Sequence, residues 1–442
     1  MTLSEKFENH FTVSKLHELY SERIIYSGAS GIDQLDQASF GKQIDEQIDI
    51  LSRKVTDGSY TFTKYKLKLI SKGRNKAPRE ISIPTIRDRL AMRSLCNFLT
   101  EVYRDTVTFQ LPQNIIKSVK HEYVSGYSGC IKLDVADFYP SIRHKELMSR
   151  LGRKIRNPEI KQIIQSAISS PTVSVSRKND SLSQRGVPQG LSVSNILASI
   201  YLINIDRRMN LKSNLKYYRY VDDLLILCDL KDAEEIAKLV ISDFRKIGLK
   251  IHDPKQSPDK SSIGPLKGGF EYLGYKFAGG GLVTPRVGSI NRLRESLIST
   301  ITNYKYAKNK NKRFLLWRLN LRITGCVHDN KSKGWLFFFA EINDDSLLHS
   351  LDHFVNKMLK RFDIKITPKK FVRTHKELIH RKHETNYIPN FDSYSLEQKK
   401  SVLEDYFGLS VSRYSDQQVE FNFQKRITKQ VKDLQIDIMD FS

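Results

Sequence analysis

The chain has 442 residues, of which 39% are apolar, and its 73 Lys and Arg against 49 Asp and Glu give a net charge of +24. That composition supports a sizeable core and excludes a disordered chain, while the positive excess predicts a nucleic-acid partner rather than a membrane, because no basic amphipathic helix dominates the charge. No apolar stretch approaches the roughly 20 residues of a membrane span, and four dispersed cysteines favour a reducing cytoplasm.

Residues 1–130 are predicted to contain helices and one hairpin. Apolar residues recur at three- and four-residue spacing through residues 40–55, which predicts one apolar helix face. From Tyr60 to Pro84 the pattern changes to short alternating runs, which predict a hairpin whose basic tip spans residues 71–78. A further helix is predicted from Asp88 to Val102.

Residues 131–285 alternate between apolar strand patterns and helix patterns. The first strand is predicted to present Asp134 at its end, before a helix start signal. Residues 185–205 predict a turn followed by a long apolar helix, and in residues 215–229 two β-rich runs meet at the Val-Asp-Asp sequence of residues 221–223.

Three acidic residues on strands, in a very basic chain, predict a metal site. Burying Asp134, Asp222 and Asp223 without a positive partner would cost several kcal/mol. Hard oxygen ligands favour Mg²⁺, which keeps waters and binds substrate phosphates. Two such ions about 4 Å apart can activate a 3′-hydroxyl and stabilise a leaving pyrophosphate. For an isolated Tyr-x-Asp-Asp sequence, a surface turn rich in Asp is the alternative.

Beyond residue 285, strand patterns fade and helix patterns dominate. Between Arg286 and Lys333 there are twelve Lys or Arg and two acidic residues, with aromatic residues among them. This composition predicts contact with a phosphate backbone, and a merely solubilising face is the alternative. The basic run predicted to make that contact contains Lys305, Lys308, Lys310, Lys312 and Arg313.

Six segments occur in order along the chain: IPTIRDRL, LDVADFYPSI, RGVPQGLSVSNILA, RYVDDLLIL, IGLKIHDPK and FEYLGYKF. They resemble the successive motifs of reverse transcriptases, over about residues 25–320. The resemblance implies an α+β, right-hand polymerase fold and an RNA-directed DNA polymerase that works by two-metal nucleotidyl transfer. It divides the chain into N-terminal helices and fingers (1–130), a palm of antiparallel sheet plus helices (131–285), a helical thumb (286–362) and a mostly helical C-terminal extension (363–442).

The resemblance also implies roles for residues near the acids. The three carboxylates would bind two Mg²⁺ ions, helped by the backbone carbonyl of Val135. Tyr139 would lie beneath the incoming sugar, where its ring clashes with a ribose 2′-OH and selects deoxynucleotides; a core tyrosine is the alternative. Gln189 and Gly190 would contact the incoming nucleotide and the template.

Phosphate contacts and the primer grip follow from the same resemblance. Lys72 and Arg79 would hold the triphosphate, a task that suits the planar fork of Arg, whereas Lys72 is equally compatible with a solvated loop charge. Lys255 would protonate the pyrophosphate, with Lys260 as its rival. The primer grip in FEYLGYKF would consist of Tyr272, Leu273, Gly274 and Tyr275.

Several further segments narrow the resemblance. LPQNIIKSV, FYPSIRH, RITGC, GWLFFF and KKFVRT look most like defence-associated bacterial reverse transcriptases of the abortive-infection type, in particular the type-three systems. In those systems two reverse transcriptases work with a noncoding RNA. The partners implied are therefore an RNA template, the DNA product, and a second reverse transcriptase or another copy of this chain.

The same motif residues are compatible with two other functions. The first is untemplated or protein-primed DNA synthesis, which would use the same metal ions. The second is a retron-like or intron-maturase-like RNA-binding protein in which catalysis is incidental. The intact Tyr-Val-Asp-Asp sequence argues against the second, because buried charges are costly to keep without a function.

Overall fold

The structure is a computed structural model. It describes residues 1–25, 28–71, 77–177, 179–381 and 384–438. The chain divides into two compact units, the first formed by Met1–Phe109 with Ile131–Ile263 and the second by Gln110–Cys130 with Gly264–Ser442. The division into fingers, palm, thumb and extension stays a prediction.

The helices have the amphipathic patterns and capping residues that the sequence shows; α4, for example, buries Ile48, Leu51 and Val55 on one face. In chain order they are α1 (Leu3–His10), α2 (Val13–Leu19), α3 (Gln37–Gly41), α4 (Ile44–Thr56), α5 (Ile86–Val102), α6 (Pro112–Tyr123), α7 (Phe138–Ser141), α8 (His144–Leu151), α9 (Pro158–Ser169), α10 (Ser194–Asn210), α11 (Ala233–Lys246), α12 (Val287–Lys305), α13 (Lys312–Thr324), α14 (Trp335–Phe338), α15 (Asp345–Arg361), α16 (Phe371–His380), α17 (Leu396–Asp405) and α18 (Asp416–Ile436).

The strands are short, and most pair antiparallel. In chain order they are β1 (Tyr65–Ile70), β2 (Arg79–Ile83), β3 (Gly129–Ala136), β4 (Thr172–Val173), β5 (Leu215–Tyr220), β6 (Asp223–Cys228), β7 (Lys250–Ile251), β8 (Ser262–Pro265), β9 (Phe270–Tyr272), β10 (Tyr275–Ala278), β11 (Leu282–Pro285), β12 (Cys326–His328) and β13 (Lys331–Lys333).

In the first unit, the predicted hairpin is present. Strands β1 and β2 pair antiparallel from Lys66 opposite Ile83 to Ile70 opposite Arg79, and β1 also pairs in parallel with β4. The sheet that carries the acidic residues has the strand order β5–β6–β3–β7. Because β3 and β6 are neighbours, Asp134 and Asp223 lie on adjacent strands.

Burial fixes how these strands face the core of the first unit. Residues Leu224 to Cys228 of β6 are all buried, as expected of a strand that is covered on both faces. Helix α10 buries residues around most of its circumference within the same core. The charged end of β6 is therefore held by a continuous apolar run that cannot slip along its partner without exposing apolar side chains.

The second unit combines a β9–β10–β11 antiparallel sheet with helices α12 to α18. One of its cores joins α17 and α18 around Leu403, Val419, Phe423 and Ile427. Both units mix helices with mostly antiparallel sheets, so the predicted α+β class is confirmed.

Among the described residues, no helix is both long enough and apolar enough to cross a membrane. All four cysteines are free thiols, and Cys130, Cys228 and Cys326 are buried. The cytoplasmic location stays a prediction.

Candidate active site

The β5–β6 hairpin carries two carboxylates at its turn. Tyr220 and Asp223 form the last cross-strand pair, so Val221 and Asp222 are the two residues of the turn. Val221 has φ = +57°, a conformation that is unfavourable for a β-branched side chain. Strain of this kind persists only where the surrounding structure holds it, and it is frequent at functional sites.

A third carboxylate is held on the neighbouring strand. The side chain of Asp134 is 16% exposed, and its Oδ2 lies 3.4 Å from Nζ of Lys260 and 3.5 Å from Nε2 of His252. Its backbone N–H donates to the hydroxyl of Ser261 at 3.1 Å. The chain from His252 to Ser261 therefore folds back over the end of β3 and places a cation there.

The charge of Asp134 acts on both carboxylates of the β5–β6 turn. Burial raises the pKa of Asp222, and the charge of Asp134 raises it further, while Arg79 and Lys260 oppose the rise. For Asp223, burial and then the charges of Asp222 and Asp134 raise the pKa to about 7. The structure thus brings the three predicted acids together in one partly buried site.

This arrangement fits divalent cations. Carboxylate oxygens are hard ligands, and the charges of Asp222 and Asp134 raise the pKa of Asp223 although Lys132 and Lys260 oppose the rise. A divalent ion would relieve that repulsion. The contribution of the Val135 carbonyl stays a prediction; Val135 itself is buried and pairs with Ile251 of β7.

The raised pKa of Asp223 predicts how stability depends on pH in the metal-free protein. Its folded-state pKa of about 7 exceeds the ordinary 3.8, so the folded state keeps a proton that the unfolded state loses. Stability should therefore fall as pH rises from about 4 to about 7, by up to about 4 kcal/mol at 1.36 kcal/mol per pKa unit. Asp223→Asn should lack this loss and exceed the wild type in free energy of unfolding at pH 8.

Urea unfolding in EDTA at pH values from 4 to 8 measures this difference. The matched control is Asp229→Asn, which removes an exposed carboxylate just beyond β6 and should keep the wild-type pH profile. Parallel pH profiles for Asp223→Asn and the wild type would show that the Asp223 carboxyl titrates normally.

Tyr139 lies beside the acids, on the short helix α7. Its ring is partly buried and packs against the core, and its hydroxyl donates to Oδ1 of Asn195. Burial raises the pKa of Tyr139, and the charge of Asp222 adds to the rise, which places the ring near the turn carboxylate. Its role in sugar selection stays a prediction, and this position is compatible with it.

Arg79, Gln189 and Gly190 lie along strand β2. The N–H of Ser82 donates to the carbonyl of Gln189 at 2.8 Å, which ties β2 to the loop before α10. Gly190 has φ = +97°, and a Cβ there would lie 2.7 Å from Cγ2 of Ile81, so glycine allows this close approach. Arg79 and Gln189 line one cavity of about 430 Å³.

The structure distinguishes between the two candidate proton donors. Nζ of Lys260 lies 3.4 Å from Asp134, whereas the contact described for Lys255 is made by its backbone N–H, which donates to Oδ1 of Asp253 at 2.7 Å; both side chains are exposed. Lys255 stays a prediction, and the geometry favours its rival. Lys72 lies outside the described residues, so its phosphate contact also stays a prediction.

Sequence reasoning missed a residue that supports the turn. Arg219 forms two bonds with the Asp206 carboxylate, at 2.8 and 2.5 Å, and its Nη1 donates to the carbonyl of Val221 at 2.9 Å. The Tyr217 hydroxyl donates to the same carboxylate at 2.9 Å. Tyr217 and Arg219 occupy alternate positions of β5, so they share one face, and that polar face was the available signal.

The predicted primer grip lies in the second unit. Leu273 and Gly274, with φ = +45° and +80°, form the two-residue turn between β9 and β10, as in a type I′ hairpin. Tyr272, Leu273 and Tyr275 are buried, and the Tyr275 hydroxyl donates to the carbonyl of Phe338 at 2.5 Å. These contacts explain a stable hairpin, and a primer contact stays a prediction.

The predicted basic run joins α12 to α13 in the second unit. Lys308 and Lys310 are exposed in the connection, and neighbouring Tyr306 is 80% exposed. Lys305 at the end of α12 donates to the carbonyl of Phe362 at 3.3 Å, and Arg313 lies 2.9 Å from Asp405. The run is therefore an exposed cationic surface, with Lys312 at the first position of α13.

The part of the chain that carries the three acids is similar to a known protein family. Residues 70–277 match the family model described as "Reverse transcriptase (RNA-dependent DNA polymerase)", which is just under half of the chain. The matched range contains β2 to β9, all three carboxylates and most of β10. The match confirms the right-hand polymerase fold predicted for this range.

Two similar curated proteins are encoded in introns. An "Uncharacterized 91 kDa protein in cob intron" of Schizosaccharomyces pombe is 29% identical over 227 residues, which is 46% of this chain and 28% of that protein. The "Group II intron-encoded protein LtrA" of Lactococcus lactis is 26% identical over 197 residues, covering 43% of this chain and 32% of that protein. The chain therefore spans less than a third of the curated relatives it matches.

Solved telomerase structures are also similar, but weakly. The telomerase from Candida albicans, in complex with a fragment of telomeric RNA, has a TM-score of 0.46 at 15% identity and covers 89% of this chain and 67% of that chain. Apo telomerase from Candida tropicalis has a TM-score of 0.44 at 12% identity and covers 93% and 76%.

Proposed function

We propose that this chain is an RNA-directed DNA polymerase. The proposal starts from the match of residues 70–277 to the reverse transcriptase family model. The observation that carries the proposal is that Asp134, Asp222 and Asp223 lie close together in that range, where the charge of Asp134 raises the pKa of the other two carboxyl groups. Carboxylates kept together against their mutual repulsion need a cationic partner, and nucleotidyl transfer uses divalent ions at such sites.

In the proposed reaction, the three carboxylates would hold two Mg²⁺ ions with the help of the Val135 carbonyl. When bound, these ions supply positive charge that activates the primer 3′-hydroxyl and stabilises the leaving pyrophosphate. The chain's own contribution is positioning, because Arg219 fixes the Val221 carbonyl and so orients the turn that carries Asp222. A rigid ligand set limits the reorganisation needed during catalysis.

The nucleotide is proposed to lie between the acids and the β1–β2 hairpin. Arg79 is close enough to Asp222 to oppose the rise in its pKa, and Arg79 shares a cavity with Gln189. An arginine in this place suits the triphosphate, and Tyr139 would limit space at the sugar. The proton for pyrophosphate would come from Lys255 or Lys260, and the 3.4 Å approach of Lys260 to Asp134 favours Lys260.

A template-swap experiment tests the polymerase proposal. Purified protein with Mg²⁺ and deoxynucleotides should extend a DNA primer that is annealed to an RNA template. The same primer without a template should stay at its original length. Equal extension with and without template would support untemplated synthesis instead. A product that stays attached to protein until proteinase treatment would support protein priming, and RNA binding without any extension would support a maturase-like role.

We further propose that the polymerase acts in bacterial defence against phage, in the cytoplasm, with a noncoding RNA and a second reverse transcriptase or another copy of this chain. The support is the similarity of LPQNIIKSV, FYPSIRH and the tail segments to defence-associated enzymes. Phage plaque counts on cells with the native locus, compared with the same locus carrying Asp222→Asn, test the role. Equal counts would contradict it.

The exposed basic run predicts a salt-dependent step. Each phosphate that a cation neutralises contributes about −0.9 to the slope of log affinity against log salt on duplex DNA. Neutralising four residues of the run should make that slope shallower by up to about four contacts, and should shorten products because the primer–template dissociates sooner. The four changes are Lys308→Gln, Lys310→Gln, Lys312→Gln and Arg313→Gln.

A second quadruple variant controls for net charge, because it removes the same number of exposed cations from other helices. Its changes are Lys145→Gln, Lys231→Gln, Lys238→Gln and Lys357→Gln. Binding measured by fluorescence anisotropy across salt concentrations should keep the wild-type slope in this control. If both variants show the same slope, the run only contributes to solubility.

A further inference from the structure

The β12–β13 hairpin of the second unit carries an unusual polar group at its turn. Asp329 and Asn330 have φ = +52° and +54°, as in a type I′ turn. The carboxylate of Asp392, from the short helical turn Phe391–Ser393, accepts the N–H of Asp329 at 2.9 Å and of Asn330 at 2.8 Å. Asp392 is thereby fixed against the turn.

His328, at the end of β12, is directed at the same place. It is 2% exposed, and its Nε2 lies 3.1 Å from Oγ1 of Thr428 on α18. Its Nδ1 is buried and has no hydrogen-bond partner among the described residues. The Oδ1 of Asp392 is 4.0 Å from this Nδ1, and the Oδ1 of Asp329 is 3.8 Å from Nε2.

The 4.0 Å separation of Nδ1 from the Asp392 carboxylate suits a shared ion better than a hydrogen bond. A hydrogen bond needs about 2.7–3.2 Å, so Nδ1 gains none at 4.0 Å, and an unsatisfied buried polar atom is unfavourable. In a tetrahedral site with bonds of about 2.0–2.2 Å, two ligand atoms lie about 3.3–3.6 Å apart, so binding would draw Nδ1 and the Asp392 carboxylate together by about half an ångström. One ligand atom from each of the three residues lies within 4.8 Å of the other two, so small side-chain rotations would bring all three to one ion.

We propose that His328, Asp329 and Asp392 bind one divalent transition-metal ion, with Zn²⁺ as the best-matched ion. Imidazole nitrogen with two carboxylates suits Zn²⁺ better than the all-oxygen sets of Mg²⁺ or Ca²⁺. The hydroxyl of Thr428 engages the second ring nitrogen, as the outer partners of metal-bound histidines do.

The ion would act as a structural staple within the second unit. Its ligands come from the hairpin turn and from the Phe391–Ser393 segment, and Thr428 adds α18. Phe391 and Phe423 of the same segments pack in one core cluster. Binding would therefore connect pieces that are distant in the chain, and its free energy would add to the stability of this unit.

The test compares zinc content and thermal stability in full-length protein. Asp329→Asn removes one ligand and should keep the turn, because Asn tolerates positive φ well. The matched control is Asp363→Asn, another exposed aspartate with positive φ, at +51°. Each protein, purified without a histidine tag, is stripped with EDTA, loaded with Zn²⁺ and passed over a desalting column.

Elemental analysis should find one zinc fewer per chain in Asp329→Asn than in the wild type and in Asp363→Asn. Because only this difference is interpreted, zinc bound at other places in all three proteins does not affect the result. At about 100-fold excess over Kd, Zn²⁺ should raise the Tm of the wild type by about 5 °C more than that of Asp329→Asn. Co²⁺ should give visible absorption bands of a four-coordinate site that Asp329→Asn lacks. Equal zinc content and equal Tm shifts in all three proteins would overturn the proposal and leave a histidine–aspartate cluster without metal.

Discussion

Asp222→Asn should abolish nucleotide incorporation while the protein stays folded. The substitution removes one charged oxygen ligand from the turn and keeps the shape of the side chain. A bound metal supplies several kcal/mol of transition-state stabilisation, so its loss corresponds to a fall of roughly 1,000-fold or more in single-turnover rate. Because burial and Asp134 already disfavour the charge on Asp222, the neutral side chain should not lower the Tm of the metal-free protein.

Rapid-quench incorporation of a single nucleotide, together with thermal melting by circular dichroism, measures both effects. Asp229→Asn serves as the control, since it removes an exposed carboxylate just beyond the far end of β6 and leaves the site untouched. A folded Asp222→Asn protein that incorporates nucleotide at the wild-type rate would show that the turn carboxylates have a structural role only.

Tyr139→Ala should admit ribonucleotides. Without the ring, nothing at this position clashes with a 2′-hydroxyl, and pocket contacts of this kind are worth about 1–3 kcal/mol, or roughly 10- to 200-fold. The ratio of kcat/KM for a deoxynucleotide to that for the matching ribonucleotide should therefore fall by this factor. Steady-state extension by one nucleotide on a single template gives both values.

Tyr139→Phe is the matched control, because it keeps the ring and loses only the hydrogen bond to Asn195. It should retain the wild-type selectivity. If Tyr139→Ala also retains it, the tyrosine is a core residue and sugar selection depends on another side chain.

Local sequence patterns were sufficient to predict the strands that carry the acids. The apolar run of β6 reflects the burial of that strand, and burial leaves a signal in the sequence, whereas the alternation along β1 predicted a strand although its Leu69 and Ile70 are exposed. The two adjacent aspartates at the start of the β6 run violate the pattern. Two adjacent charges in an otherwise apolar segment therefore predicted the position of the metal site.

Contacts between distant segments left no such signal. Asp206 and Arg219 form an ion pair because α10 packs near β5, and no spacing rule connects an apolar helix with that strand. Lys255 and Lys260 belong to one polar loop, and only the fold of that loop brings Lys260 to Asp134. The pairing of residues 110–130 with residues 264–442 in one unit is equally invisible in the sequence.

Single-nucleotide incorporation on four RNA templates that differ only in the templating base tests the central claim most directly. Each template is offered each deoxynucleotide separately, with Mg²⁺, and Asp222→Asn serves as the inactive control. RNA-directed synthesis predicts that the complementary nucleotide is added on each template and that Asp222→Asn adds none. Addition of the same nucleotide on all four templates, or addition without a template, would contradict the claim that this chain copies RNA into DNA.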